Sequence, residues 1–252
     1  MSDRRFMSIS APILRMRGPI GALVLSASLL PQALAAAQAW SASVAVTSDY
    51  LVRGISRSNH RTALQADLDV VTDGGFIGGL FASNTQLDAD AERDAELSAL
   101  IGFAWQASRA WRAKVFTSYY VYPWNDAGSH YNYAELAIEA AYNDWLDLDA
   151  AYSPDTPRYV EYRGLISVTA KSLEANVHTP WRHHVAATAG LGYSELSGPE
   201  GGGYTFWSAG GIIDLAPWSI SIGYADTGAK ARSLFYGAAA HDRWTATVIR
   251  RF

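Results

Sequence analysis

Carboxylates that recur two or four residues apart carry most of the chemistry in this 252-residue chain: Asp67 and Asp69, Asp147 and Asp149, Glu135 and Glu139. On a β-strand, side chains at i, i+2 and i+4 share one face, so each set would point the same way. Two chemistries use carboxylates held like that. Calcium asks for about six to eight oxygens. Two pairs on strands that are not expected neighbours fall short of that, so no metal and no cofactor is assigned. Rings of carboxylates around a narrow water path attract cations and repel anions, and this use fits the spacing. A hydrolase would instead need a nucleophile, a His base and an orienting group within hydrogen-bond reach. The six His are His60, His130, His178, His183, His184 and His241, with Ser58 and Ser129 near two of them. No His-x-Ser-Asn-type arrangement is among them, so no catalytic residue is assigned. The chain has no Cys, which excludes a disulfide framework, a thiolate metal site and a thiol nucleophile.

Strands must position these groups. Twelve segments alternate apolar and polar with period two: 42–50, 63–72, 75–85, 96–106, 110–121, 132–142, 145–153, 171–179, 184–194, 204–214, 218–226 and 243–252. Each is close to the ~9–11 residues with which a tilted strand crosses a bilayer. In 63–72, Leu64, Ala66, Leu68 and Val70 oppose Gln65, Asp67 and Asp69. A soluble sandwich alternates too, but full charges at mid-strand suit a wet lumen. With the charged faces inward, the lumen is lined by Asp49, Gln65, Asp67, Asp69, Glu96, Arg112, Lys114, Glu135, Glu139, Asp147, Asp149, Glu174, Asn176 and His178, together with Arg251. Nine acidic groups against three basic ones predict a mild cation preference. Segment 204–214 has apolar residues on both faces and receives no side. Residues 159–170 read either as strand continuing above the membrane or as a loop folding inward.

Connector lengths and aromatics agree with a barrel. Short links (73–74, 107–109, 143–144, 180–183, 215–217) alternate with longer ones (51–62, 86–95, 122–131, 154–170, 195–203, 227–242), the pattern of periplasmic turns and extracellular loops. Trp105, Trp111, Trp145, Trp218, Trp244 and the terminal Phe252 sit at segment ends, where aromatic girdles meet the headgroups. Arg250 shares the lipid-facing parity of Phe252. There it costs little, against roughly 2–4 kcal/mol at the midplane, because it can snorkel outward. Tyr119, Tyr120, Tyr122, Trp124, Tyr131 and Tyr133 flank the third long link and read either as a surface that stacks on sugars or, the safer reading, as part of the outer girdle. The acidic run Asp88, Asp90, Glu92 and Asp94 is expected to be solvated, or bridged by cations to lipopolysaccharide phosphates.

Residues 1–37 have the form of an export leader: Arg4, Arg5, Arg15 and Arg17, then an apolar stretch too short to span a bilayer, then small-x-small sites. Cleavage is expected between 35 and 40. Without the leader, 16 basic residues face 23 acidic ones, which argues against nucleic acid as a partner. The expectation is therefore an all-β transmembrane antiparallel up-and-down barrel of about twelve strands, residues 40–252, in the bacterial outer membrane. Its partners would be lipid, lipopolysaccharide, the barrel assembly machinery and small solutes or ions. A passive pore is the leading function. A plugged, structural or adhesive barrel is the alternative, and an outer-membrane hydrolase ranks below both.

One stretch resembles a known family. Ser48-Asp49-Tyr50, then Arg53-Gly54-Ile55-Ser56, then Ala63-Leu64-Gln65 is similar to the opening of the TorF family of porins, with Thr62 where that family has Pro. Phe76 to Asn84 resembles its third strand. The resemblance implies an outer-membrane barrel acting as a pore. Physically, Gly54 allows a sharp turn, and Arg53 is expected to pair with Asp49 or with an acidic lumen residue.

Overall fold

Period-two alternation builds nothing but strands here. The computed structural model describes residues 39–87, 94–124, 131–143, 145–160, 163–179, 182–235 and 239–252. The expected leader 1–37, and Asp88, Asp90, Glu92, Ser129 and His130, lie outside the described residues. The elements are β1 (Ala39–Thr47), β2 (Leu51–Val52), β3 (Ile55–Ser56), β4 (Ala63–Val71), β5 (Phe76–Thr85), β6 (Asp94–Gln106), β7 (Trp111–Val121), β8 (Tyr133–Tyr142), β9 (Leu146–Val160), β10 (Gly164–His178), β11 (Val185–Leu196), β12 (Gly202–Leu215), β13 (Trp218–Thr227), α1 (Ala229–Leu234) and β14 (Arg243–Arg251). All except β2, β3 and α1 form one closed antiparallel barrel of twelve strands. β14 closes on β1, with Ser43 opposite Arg251 and Thr47 opposite Thr247.

All twelve expected segments are barrel strands, and one expected loop is not a loop. β9 and β10 stay paired as far as Val160 and Gly164, so most of 154–170 is strand, and the strand reading of 159–170 holds. A bulge lies in this pair: Val168 faces Thr156 while Ala170 faces Ser153. The extra residue on β9 reverses its parity. Ser153 is buried before the bulge, Arg158 and Val160 after it.

The burial pattern is inverted relative to a soluble domain. Val44, Leu64, Leu68, Leu80, Ile101, Leu136, Leu173, Leu191, Ile213, Ile222 and Val248 are all exposed on the outside. An apolar band of that extent calls for lipid rather than water. The short turns and both ends of the barrel chain lie at one rim, the turn end; the longer links lie at the other, the loop end. Aromatics mark both rims on the outer face. Phe76, Phe103 and Trp105 pack together at the turn end, as do Trp111, Tyr142 and Trp145; Trp207, Tyr224 and Trp244 do so at the loop end. Arg250 points outward, its guanidinium 5.5 Å from the Trp218 ring and 4.8 Å from the Phe252 ring. Aromatic faces shelter the charge there.

Candidate pore lumen

The inner wall carries a carboxylate row in direct cross-strand register. Lys114 of β7 faces Glu139 of β8, Glu139 faces Asp149 of β9, and Asp149 faces Glu174 of β10. Neighbouring strands are about 4.8 Å apart, and like charges directly opposite repel. One end of the row is compensated: Lys114 Nζ lies 2.7 Å from Glu139 Oε2 and 4.9 Å from the centre of the Phe116 ring. At the other end, Asn176 donates to Glu174 Oε1 at 2.7 Å. The row starts three residues in from Trp111, about 10 Å from the turn end at ~3.3 Å per residue. Asp147 and Arg112 sit one inward position nearer that rim, and Gln65, Asp67 and Asp69 share the inner face of β4. The arc from β12 to β1 presents small groups instead: Ser208, Gly210, Ser221, Gly223, Thr245, Thr247 and Thr47. His178 is buried near the turn rim, its Nδ1 2.9 Å from the Thr179 carbonyl oxygen.

The loop end is filled by the chain itself. After β1 the first link turns into the barrel and forms the β2–β3 hairpin, all four strand residues of which are buried. Its two-residue tip, Arg53-Gly54, has φ of +51° and +77°, the left-handed pair of a type I′ hairpin turn. At the root, Asp49 accepts from Ser56 Oγ at 2.5 Å and Ser58 Oγ at 2.8 Å, and pairs with Arg243 Nη1 at 2.7 Å. At the tip, Arg53 Nη2 lies 2.7 Å from Glu135 Oε2. A Cβ on Gly54 would sit 2.6 Å from Thr227 Cγ2 and 3.0 Å from Phe206 Cβ, so only glycine fits this approach. Tyr50 and Tyr122 donate to the two oxygens of Glu96 at 2.8 and 2.5 Å. Burial, and then the Glu96 charge, hold both hydroxyls well above the ordinary tyrosine range, so both remain donors.

This filling explains what sequence reasoning missed. Tyr204 and Phe206 of β12 point inward, not to water but into a cluster with Ile55, Ala231, Leu234 and Ala240. Hence 204–214 has apolar residues on both faces. Tyr120, Tyr122 and Tyr133 are not girdle residues. They are buried inside, Tyr120 and Tyr133 stacking at 4.4 Å; only Tyr119 and Trp124 of that group are strongly exposed. The tally of nine acidic to three basic groups also needs correction. Arg158, Arg243 and Asp214 are buried inner-wall groups absent from it, and the first link brings in Arg53. Asp49, Glu96 and Glu135 hold the hairpin and its surroundings rather than facing an open water path. Arg53 does meet an acidic wall residue, one of its two expected partners.

The elements of a hydrolase converge at one point, in the wrong order. His60 Nδ1 is 3.6 Å from Asp49 Oδ2, beside Ser56 and Ser58. Both serine hydroxyls donate to Asp49, and Arg243 neutralises that carboxylate. A nucleophile needs its hydroxyl directed at the base.

A family model described as "Bacterial protein of unknown function (Gcw_chp)" matches residues 32–252. No protein of curated function matches by sequence. Among solved structures, the chain is similar to the NanC porin, at 8% identity and TM-score 0.54, covering 84% of this chain and 98% of that one. It is similar to the KdgM porin at 9% identity and TM-score 0.51, covering 84% and 99%. KdgM has also been solved in complex with disordered oligogalacturonate. At such identities the likeness is one of fold.

Proposed function

The chain belongs to the Gcw_chp family, and we propose that its barrel is an outer-membrane channel for the passive diffusion of small solutes or ions, with a mild preference for cations. The observation that carries the reading is the row Glu139, Asp149 and Glu174 on adjacent strands, with Asp67 and Asp69 elsewhere on the same inner wall. A wall like that lowers the energy of a cation and raises that of an anion. The TorF resemblance around Ser48–Gln65 supports a pore, and the fold shared with NanC and KdgM supports the architecture. Oligogalacturonate, the KdgM ligand, is a polyanion; the carboxylate row argues for a different solute here. Removal of residues 1–37 on export, contacts with lipid and lipopolysaccharide and insertion by the barrel assembly machinery belong to the same proposal.

The test is planar-bilayer recording of refolded residues 40–252 across a KCl gradient. Discrete steps with a cation-signed reversal potential are expected. Anion preference would refute the role of the row. A folded barrel without conductance would favour the second reading, a plugged barrel, which the inward hairpin supports.

A further inference from the structure

The β2–β3 hairpin crosses the lumen. In ring order, counted from β1, Glu135 stands on the fifth strand around, close to diametrically opposite in a barrel of twelve. Tyr50 touches β6 through Glu96, and Gly54 abuts β12 and β13 on the other side. The short span 50–56 thus reaches much of the circumference.

Its two ends are held differently. The root is tied many times: Asp49 to two serines and Arg243, Arg57 N to the Tyr50 carbonyl at 2.7 Å, Ser56 N to the Ala239 carbonyl at 2.9 Å, and Gln86 N to the Arg57 carbonyl at 2.8 Å. The tip packs Gly54 and Ile55 against Phe206 and reaches the far wall through the Arg53–Glu135 pair, whose side chains are 18% and 11% exposed. Arg53 is the more exposed partner, while Glu135 is buried in the wall, so it is the guanidinium that rehydrates when the pair parts.

Resting on the channel reading above, we infer that the β2–β3 hairpin is a gate at the loop end, hinged at Asp49 and latched to the opposite wall by Arg53–Glu135. Closed, it fills the loop end; when the latch opens, the tip swings away from Glu135 and joins the loop end to the acidic lumen below. Arg53 and Glu135 are positioning residues here and need not touch the solute.

Single-channel recording reads the latch directly. Arg53→Ala and Glu135→Gln should each raise the open fraction about tenfold, the equilibrium change for ~1.4 kcal/mol, with the unit conductance unchanged. The double reversal Arg53→Glu with Glu135→Arg should bring the open fraction back toward wild type, which loss of fold would not do. An open fraction unaltered in both single variants would overturn the gate. So would a larger unit conductance at constant open fraction, since the hairpin would then be a fixed constriction. Silence of the wild type and every variant in correctly folded barrels would instead overturn the channel reading beneath it.

Discussion

Replacing Asp149 with Asn and Glu174 with Gln together should remove much of the cation preference while the barrel stays folded. Both side chains lie on the inner wall, and Lys114 already balances Glu139, so these two carry the row's uncompensated charge. For a monovalent cation about 5 Å from each carboxylate, Coulomb's law in water is worth ~0.8 kcal/mol per charge. Screening over a Debye length of about 10 Å at 0.1 M reduces the pair to roughly 1 kcal/mol. That is about a fivefold enrichment of cation, since 1.4 kcal/mol is tenfold. Across a tenfold KCl gradient, a fivefold preference corresponds to about 30 mV of an ideal ~59 mV, and the matching depletion of anion raises that value. The double variant should fall below half the wild-type potential, and the wild-type value should rise as salt is lowered. A variant that kept the full potential would refute the argument, since selectivity would then arise elsewhere in the lumen.

Three further outcomes follow from the packing. Asp49→Ala strands the buried Arg243 guanidinium and two serine hydroxyls, so it should cost about 3–5 kcal/mol in urea unfolding of the lipid-refolded protein; a cost below about 1 kcal/mol would refute the anchoring role. Gly192→Val places a side chain where the Phe206 ring lies, and overpacking of that kind costs about 1–3 kcal/mol; protease sensitivity of the first link should rise with it, because Phe206 supports the hairpin tip. Deleting Phe252 should lower membrane assembly far more than Arg250→Tyr, measured as heat-modifiable barrel, because Arg250 is an outward rim residue cushioned by Trp218 and Phe252; equal losses would contradict that register.

Much of the architecture was legible in the sequence because alternation is local. A strand exposed to lipid on one side and water on the other writes its faces as a two-residue period, so the twelve segments, the inward parity of Asp67, Asp69, Glu139 and Asp149, and the outward parity of Arg250 could all be read without knowing a neighbour. The code failed wherever the interior held protein instead of water. Phe206 and Tyr204 face inward against Ile55 and α1, Tyr120 and Tyr133 stack inside, and the β9 bulge reverses parity between Ser153 and Arg158. Nor could local pattern join Arg53 to Glu135 or Asp49 to Arg243, which lie 82 and 194 residues apart. Sequence by itself determined the strands and the two solvents they separate; the tertiary structure decided what fills the loop end, because only closure of the ring brings the first link, β8, β12 and β14 within reach of one another.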